Sequence, residues 1–409
     1  MLLTGYSDIL FMKIIFIGSA YPVDREAEIR DNSKSGIDNA ANNLQWALFS
    51  GLDYYFPRIE IITQPAIGTY PLNYKKVYFK ESYFSHKAGT KDYTTGFINL
   101  PIIKHFSKYW SLQKVLRNLA CIDEEIVIIV YALHSPFLKA CVNIKNNNPK
   151  VKILQVVPDL PRFMSGSKNP AYRFLKLIDS IIIKYCIKKV DGFVFLSEGM
   201  TKELKVGTRP WTIMEGIYRS EIAIDPTAKE KNKTILYVGN IDERYGIRNL
   251  IKAFSLINDN DYRLWIRGNG KLKDYIIKAT KSDSRIVYLE EMPRQDLLKY
   301  EKRATILINP VPSTEKFTKY FFPSKTLEYL ASGTPCIMHR LSGIPSDYFN
   351  YVFVAESEDP VGLKEKIMEV CSKEQSVLDD FGARAARFIN EAKTPIVQAK
   401  KIADLIEKL

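Results

Sequence analysis

Three residues whose polar or charged side chains can bind a ligand lie close together in the C-terminal half of this 409-residue chain: Ser324, Lys325 and Glu328. They stand in the stretch FPSKTLEYLASGTPCI (322–337), whose apolar residues recur at helical spacing until Gly333 ends the pattern. The start of a helix carries N–H groups without partners and the positive end of the helix dipole, so it favours an anion. Lys325 adds a full positive charge there, and Glu328 can accept hydrogen bonds from a diol. The pattern is typical of a site for a nucleotide diphosphate.

The same stretch also fits an ordinary strand–loop–helix connection with an exposed lysine, and taken alone this is the commoner explanation. The order of the neighbouring segments favours the binding site. Between Lys233 and Glu369 the chain alternates β-rich runs with amphipathic helical ones. TILYVGNIDERYGIRNLIKAF, YRLWIRGNGK, RIVYLEEMPRQDLLKYEKRATILINP and FPSKTLEYLASGTPCI resemble, in this order, the donor half of a family 4 glycosyltransferase of the two-Rossmann-domain (GT-B) type. The resemblance continues weakly through the N-terminal half.

The N-terminal half shows the same alternation. KIIFIG, EEIVIIVYAL, VKILQVVPDL and GFVFLSE are β-rich runs, and helical stretches follow most of them. Residues 19–36 are predicted to form a long polar loop before a helix that starts at Ile37. Residues 207–218 are predicted to connect this half of the chain to the next. The predicted fold class is α/β, with two Rossmann-like doubly wound parallel sheets that, as the GT-B resemblance implies, face a cleft. The predicted parts are an acceptor domain at 12–213, a donor domain at 214–390, and a C-terminal helix at 391–409 that packs back on the first domain.

Length and composition agree with two domains. A chain of 409 residues is too long for one ordinary hydrophobic core. Its 46% apolar and 12% aromatic residues are enough to fill two cores. No apolar run free of charges is long enough to span a bilayer, and MLLTGYSDILF (1–11) lacks the basic start and cleavage site of a signal peptide. The expected location is the cytoplasm. The cysteines are odd in number and widely spaced: Cys121, Cys141, Cys186, Cys336 and Cys371. This pattern predicts buried thiols and neither a disulfide framework nor a zinc site.

The net charge of +13 is concentrated in one window. Between Pro71 and Ala120, nine lysines and arginines stand against Glu81 and Asp92, a local net charge of +7, and aromatic residues are interleaved with them. A basic, aromatic surface suits the headgroups of an anionic membrane, which would place the protein peripherally on the inner face of the cell membrane. Nucleic acid favours the same surface, but no nucleic-acid-binding module is recognisable, so the membrane ranks higher. Solvated lysines on an insertion with an aromatic core explain the window equally well.

Three loops of the N-terminal half are candidate sites for the donor or the acceptor, because ligands of open parallel sheets bind outside the carboxyl ends of the strands. Gly36 lets the backbone approach a ligand, although Ser35 stands where the superfamily usually has a second glycine. His134, in YALHSPF, ends a strand and resembles the histidine of the family's acceptor loop; a structural histidine is the alternative. Asp159, in VVPDLPRF, stands where the family often has an acidic residue, and its flanking prolines also suit a turn. His134 and Asp159 are the predicted catalytic residues.

The donor contacts follow from the resemblance. It implies retention of anomeric configuration, no metal, and no cofactor beside the nucleotide diphosphate sugar, which is the substrate. The DxD-like pair Asp259 and Asp261, in INDNDYR, fits a polar turn between a helix and a strand better than a metal site. The predicted donor-binding residues are Gly36, Gly239, Asn240, Arg244, Gly268, Asn269, Met292, Tyr320, Ser324, Lys325, Thr326 and Glu328.

The chain departs from the family pattern at several of these positions. The superfamily signature has two glutamates, and Glu328 matches the second, but Tyr320 stands at the first. The usual arginine and lysine after the first glycine turn are Asn240 and Tyr245 here. Two cations nearby in the sequence can replace them: Arg244 and Lys325. A catalytically inactive relative is the alternative.

The sequence predicts a retaining glycosyltransferase that moves a sugar from a nucleotide diphosphate sugar to a saccharide acceptor. Resemblance to FPSK-bearing bacterial members implies a lipid-linked acceptor and a role in surface polysaccharide synthesis. Two alternatives stay open. A nucleotide-sugar epimerase of the same fold would turn over the donor without an acceptor, and a non-catalytic component of a polysaccharide assembly complex would bind saccharide without any turnover.

Overall fold

The computed structural model describes residues 12–34, 36–119, 124–160, 170–219 and 227–409, the side chains of 170–174 excepted. The chain divides into two compact units. The first runs to Ile217 and includes Pro395–Leu409, and the second is Tyr218–Thr394. The boundaries predicted after 213 and 390 lie a few residues earlier, because Met214 still packs in the first core.

The first unit alternates strands and helices. Its strands are β1 (Lys13–Gly18), β2 (Ile59–Thr63), β3 (Tyr78–Phe79), β4 (Ser82–Phe84), β5 (Asp92–Thr94), β6 (Phe97–Ile98), β7 (Ile126–Tyr131), β8 (Val151–Val157), β9 (Gly192–Phe195) and β10 (Trp211–Ile213). Its helices before the second unit are α1 (Glu26–Asn32), α2 (Asn39–Tyr55), α3 (Ile103–Leu119), α4 (Ser135–Asn147), α5 (Pro170–Ile187) and α6 (Gly199–Glu203).

Most of these strands form one sheet, in the order β10-β9-β8-β7-β1-β2-β5-β4. Its neighbouring strands are parallel except β4 and β5, and β3 and β6 form a separate antiparallel pair. Every residue of β1 and β7 is buried, as expected for strands that helices cover on both faces. The predicted parallel α/β arrangement is confirmed.

Two segments of the first unit carry more structure than the sequence suggested. The predicted polar loop 19–36 contains α1, which Ile29 anchors in the core and an ion pair between Arg30 and Glu26 supports. The predicted connection 207–218 contains β10, which pairs with β9 at the edge of the sheet. Both predictions were wrong because these elements are short and show little apolar periodicity.

The basic window 71–120 forms β3 to β6 and α3. Its aromatic residues divide between a small core and the surface: Phe79 and Phe97 are buried and stack on each other, whereas Phe106 and Trp110 are 63% and 59% exposed. The buried pair fits the interpretation of an insertion with an aromatic core, and the membrane contact stays a prediction.

The second unit is a six-stranded parallel sheet with helices beside it. Its strands are β11 (Lys233–Asn240), β12 (Tyr262–Asn269), β13 (Ile286–Leu289), β14 (Ile306–Asn309), β15 (Cys336–Met338) and β16 (Phe353–Val354). Its helices are α7 (Ile247–Ser255), α8 (Lys273–Ser282), α9 (Arg294–Arg303), α10 (Lys325–Ala331), α11 (Pro360–Cys371) and α12 (Gln375–Ala392). The strand order is β13-β12-β11-β14-β15-β16. All carboxyl ends therefore meet at one edge.

The last helix, α13 (Pro395–Ile406), belongs to the first unit, where it packs on α2. Ile402 and Ile406 lie in the same core as Leu48 of α2. Gly51 allows the close approach of the two helices, because a Cβ there would lie 2.2 Å from the carbonyl oxygen of Pro395.

Cys141, Cys186, Cys336 and Cys371 are buried free thiols, as predicted, and Cys121 lies outside the described residues. Within the described ranges, no helix combines the length and the apolar character that crossing a bilayer requires.

Candidate functional site

Two neighbouring strands of the second sheet end in facing glycines. β11 and β12 pair so that Gly239 lies opposite Gly268, and Asn240 opposite Asn269. A Cβ on Gly268 would lie 1.8 Å from the carbonyl oxygen of Gly239, so no larger residue fits there. The side-chain oxygen of Asn269 accepts a hydrogen bond from the N–H of Gly270 at 2.9 Å, which fixes the following turn. The result is a stretch of open backbone at the edge where ligands of such sheets bind.

The chain turns from β11 into α7 through a short 3-10 turn, Glu243–Tyr245. Gly246 ends this turn with a φ of 75°, a conformation that glycine adopts without strain. The guanidinium of Arg244 lies 5.0 Å from the ring of Tyr245 and 5.2 Å from the ring of Phe317. These rings hold an exposed cation beside the open end of β11.

Helix α10 begins at Lys325, within the stretch 322–337 for which the sequence predicted a helix. Ser324 occupies the N-cap position, but its side chain accepts no capping hydrogen bond. The N–H groups of Thr326 and Leu327 donate to the carbonyl oxygens of Pro323 and Ser324 at 2.8 and 3.2 Å. The expectation of an open first turn was wrong for these two groups, because the backbone winds tightly there and satisfies them. The positive charge of Lys325 is therefore the main attraction for an anion.

Three charged side chains form a network at the start of α10. Lys325 pairs with Glu328, and Arg294, the first residue of α9, lies 3.3 Å from the other carboxylate oxygen of Glu328. All three side chains remain partly exposed. The network carries a net positive charge and holds the Glu328 carboxylate between two cations. Arg294 was not predicted from the sequence, because its contact joins two helices that a strand separates in the chain.

A buried carboxyl lies within electrostatic reach of this network. Glu301 of α9 is fully buried, and neither of its oxygens has a hydrogen-bond partner among the described residues. Burial raises the pKa of Glu301 to about 7, while the charge of Lys325 opposes the rise and that of Glu328 adds to it. The hydroxyl of Thr326 is also buried without a partner in the described part of the chain.

The remaining predicted donor contacts follow the carboxyl ends of β13 and β14. Met292 is partly buried and packs against the core of the second unit. Tyr320 ends a 3-10 turn, Lys316–Tyr320, and Ser324 is exposed. The structure thus pairs Lys325 with Glu328, and it does not bring Arg244 into that network.

The predicted site residues of the N-terminal half, Gly36, His134 and Asp159, lie in the first unit. Gly36 is exposed with a φ of 78°, and Ser35 lies outside the described residues. The ring of His134 packs 4.5 Å from that of Phe137, and its Nδ1 has no hydrogen-bond partner among the described residues. Burial and the charge of Lys108 hold the pKa of His134 well below its usual range.

Asp159 follows β8 and is exposed at the surface. The surrounding protein partly shields its carboxyl from water, which together with the negative charge of Asp38 raises the pKa of Asp159 to about 6. His134 and Asp159 both follow strands of the first sheet at its carboxyl edge, as the sequence predicted.

Asp259 and Asp261 lie in the turn between α7 and β12, where Asp259 accepts a hydrogen bond from the N–H of Asp261. This polar turn is the one that the sequence predicted. Across the described ranges, no three His, Cys, Asp or Glu side chains converge as metal ligands. The expectation of a metal-free reaction stays a prediction.

Comparison with known proteins adds the following. Residues 219–394 match the family described as Glycosyl transferases group 1. No curated protein matches the chain by sequence. Among solved structures, sucrose-phosphate synthase from Thermosynechococcus elongatus is similar, with a TM-score of 0.65 and 13% identity over 97% of this chain and 98% of that one.

Two further structures are similar. HepE from Anabaena, solved in complex with UDP, has a TM-score of 0.62 and 12% identity over 97% of this chain and 100% of its own. The lipopolysaccharide outer core galactosyltransferase WaaB has a TM-score of 0.61 and 16% identity over 97% of this chain and 100% of its own. With two parallel α/β sheets, these likenesses establish a GT-B fold. The matched domain indicates that the chain is a glycosyltransferase.

Proposed function

We propose that this glycosyltransferase is a retaining enzyme of family 4, in its FPSK-bearing bacterial subgroup, and that its acceptor is a lipid-linked saccharide in the synthesis of surface polysaccharide. The observation that carries the proposal is the network of Lys325, Glu328 and Arg294 beside the glycine-lined ends of β11 and β12. This edge offers what a nucleotide diphosphate sugar needs, namely open backbone for the phosphates and fixed charges around them.

Lys325 acts on the leaving group. Negative charge grows on the diphosphate as the anomeric bond breaks, and a cation already positioned there lowers the barrier. Lys325 exchanges its contact with Glu328 for the diphosphate, and Arg294 keeps Glu328 in place. Glu328 then accepts hydrogen bonds from the hydroxyls of the ribose or the sugar. Arg244, which aromatic rings hold, supplies a second positive charge in place of the cations that the family usually has.

His134 and Asp159 act on the acceptor. The lowered pKa of His134 leaves its ring neutral at pH 7, so a ring nitrogen can accept a hydrogen bond from a reacting hydroxyl. Asp159, with a pKa of about 6, is mostly ionised at neutral pH and offers a second acceptor. These roles separate the transfer step from the binding of the nucleotide.

The membrane contact of the proposal is supported by two exposed apolar stripes. Ile103, Phe106 and Trp110 are exposed along α3 at helical spacing. A second stripe on α5 was not foreseen from the sequence: Leu177, Ile181 and Tyr185. Both helices pack against α4, and the basic charge of the window 71–120 complements an anionic bilayer.

The test of activity uses UDP-sugars first, since one similar structure contains UDP. The purified chain is incubated with each UDP-sugar, with and without a membrane lipid extract, and the products are identified by mass and by anomeric configuration. The proposal expects sugar transfer to the lipid fraction with retained configuration and little reaction without acceptor. An epimerised donor, product of inverted configuration, or no turnover with any nucleotide sugar would contradict it.

The test of membrane contact is sedimentation with liposomes. The chain should bind vesicles that contain phosphatidylglycerol, and the variant with Phe106→Ser and Trp110→Ser should remain in solution. Replacing the exposed lysines of the window, Lys80, Lys91 and Lys114, by glutamate should also release it, because each basic residue near the surface contributes about 1 kcal/mol. Binding that neither set of changes weakens would contradict a docking role for this surface.

A further inference from the structure

The first half of α3 and the start of α4 bring four basic side chains together. Lys104, His105 and Lys108 lie close together on α3, and His134 directly precedes α4. The rings of His105 and His134 are 5.6 Å apart, and the charge of Lys108 acts on His134. We call Lys104, His105 and Lys108 the basic cluster. Within the basic cluster, His105 is exposed to solvent, whereas Lys108 is buried and only 4% exposed.

The positive charge of the basic cluster is not balanced. The ammonium of Lys104 donates to the carbonyl oxygen of Ile67 at 2.6 Å, and that of Lys108 lies 3.4 Å from the carbonyl oxygen of Gln64. In the part of the chain that the structure describes, neither ammonium forms an ion pair with a carboxylate. Burying an unpaired charge is costly, which favours the neutral amines, and an anion that enters here would stabilise their protonated forms.

One carboxylate stands nearby. Asp179 of α5 acts on His105, and one of its oxygens is buried without a hydrogen-bond partner among the described residues. Burial lowers the pKa of Lys104 to about 8 and holds that of Lys108 well below its usual range. The titratable groups that face one another here are the basic cluster on α3, His134 before α4, and Asp179 on α5.

The basic cluster lies at the ligand-binding edge of the first sheet. Gln64 directly follows β2, and His134 follows β7, two strands that flank β1 in the parallel sheet. The backbone is strained on both sides: Ile102 and Ala132 have φ angles of 66° and 67°, which residues other than glycine seldom adopt. Such strain persists where a site requires it.

We propose that the basic cluster binds a phosphate group of the acceptor, next to His134. This inference rests on the proposed function, since it describes the acceptor of that reaction. A phosphate offers several terminal oxygens, which suits two ammonium groups and an imidazole better than the two oxygens of a carboxylate do. The phosphate group can belong to a lipid-linked saccharide or to a soluble sugar phosphate.

The first experiment measures thermal unfolding of the full chain in inorganic phosphate and in pyrophosphate, against chloride at equal ionic strength. A ligand that binds the native state raises the unfolding temperature. The wild type should respond, and Lys108→Met and Lys104→Met should lose the response. Lys252→Met, at an exposed lysine of α7, should keep it. If Lys108→Met does not fold, Lys104→Met decides the question.

The donor site also attracts phosphate, so Lys325→Ala is measured in parallel. A response that survives Lys104→Met and Lys108→Met but disappears in Lys325→Ala would place all phosphate at the donor site and overturn the inference. A wild type that does not respond at all would overturn it too. Neither result bears on sugar transfer from UDP-sugars by the wild type, by which the proposed function is tested separately.

A second readout is proton uptake. Bound phosphate stabilises the protonated form of Lys104, whose pKa of about 8 leaves it half protonated at pH 8. Calorimetric titrations at pH 8, in two buffers of different ionisation enthalpy, should show proton uptake that Lys104→Met reduces, and the affinity should fall as the pH rises above 8. Binding without uptake, or uptake unchanged in Lys104→Met, would contradict the assignment.

The source of the phosphate is settled by competition. A soluble sugar phosphate is titrated in one arm, and phosphatidylcholine vesicles with and without polyprenyl phosphate are used in the other. The basic cluster should account for binding in at least one arm, seen as loss in Lys104→Met and Lys108→Met. Equal binding by both variants and the wild type in both arms would contradict the inference.

Discussion

Two buried basic groups of the first unit meet the cost of burial in opposite ways. His86 lies between two carboxylates: its Nδ1 is 2.7 Å from Asp92 and its Nε2 is 3.0 Å from Asp53. Lys108 is also buried, yet within the described residues it has no carboxylate partner. Burial alone therefore does not define a role. The carboxylates make His86 a structural cross-link, and their absence leaves Lys108 available for an anion.

Burial alone would lower the pKa of His86, but hydrogen bonds and attraction from Asp53 and Asp92 outweigh it and raise that pKa to about 9. A histidine whose pKa is higher in the folded than in the unfolded protein stabilises the fold through its charged form. This stabilisation is complete below the ordinary pKa of 6.5 and is lost as the pH rises through 9.

The largest expected effect is therefore a loss of about 3 kcal/mol in the stability of the first unit between pH 6.5 and pH 9. Hydrogen exchange at the N–H of Ile61, which donates to Asp92, reports it locally. His86→Gln should be less stable at pH 6 and should lack this pH dependence. A wild type and a variant with equal pH dependence would show that His86 is not charged in the fold.

The second unit contains the opposite case, a buried acid without a partner. Because the pKa of Glu301 is higher in the folded than in the unfolded protein, the fold is more stable when this carboxyl is neutral. This stability is complete below the unfolded pKa and is lost as the pH rises through 7. Glu301→Gln should thus be more stable than the wild type at pH 8, by about 2 to 3 kcal/mol, and nearly equal to it at pH 4. Denaturant unfolding measures this, with the exposed Glu365→Gln as control. A less stable variant at pH 8 would mean that Glu301 is charged and paired there.

A smaller effect is expected where the charges are paired and open to solvent. Glu328→Gln should weaken UDP binding by about 1 kcal/mol, the value of one hydrogen bond, while inorganic pyrophosphate binds equally or better. The reason is that the ribose loses an acceptor, whereas Lys325 and Arg294 lose a competing carboxylate. Isothermal titration with both ligands compares them, and Glu369→Gln, which pairs with Lys366 in the same i, i+3 geometry, is the matched control. Parallel losses for both ligands would remove Glu328 from the ribose.

The sequence predicted those parts of the fold that periodicity encodes. The β and α runs of the second unit, the helix within 322–337 and the burial of the four cysteines that the structure describes are confirmed. The short elements α1 and β10 were missed, because a few tertiary contacts hold them and no repeat marks them.

The candidate sites were less visible in the sequence than the fold. Lys325 and Glu328 are three residues apart on one helix, so their pairing could be foreseen. The surroundings of Arg294, Glu301 and Lys108 consist of residues that only the folded chain brings near. No local sequence pattern reveals which lysine of a basic window is buried.

The central claim is that Lys325 binds the diphosphate of the donor, and isothermal titration of UDP into Lys325→Ala tests it most directly. Lys366→Ala is the matched control, since Lys366 forms an i, i+3 ion pair with Glu369 on α11 of the same unit. The account predicts that Lys325→Ala weakens UDP binding by about 1.5 to 3 kcal/mol, while Lys366→Ala binds like the wild type. UDP affinity that is equal in all three proteins would contradict the claim.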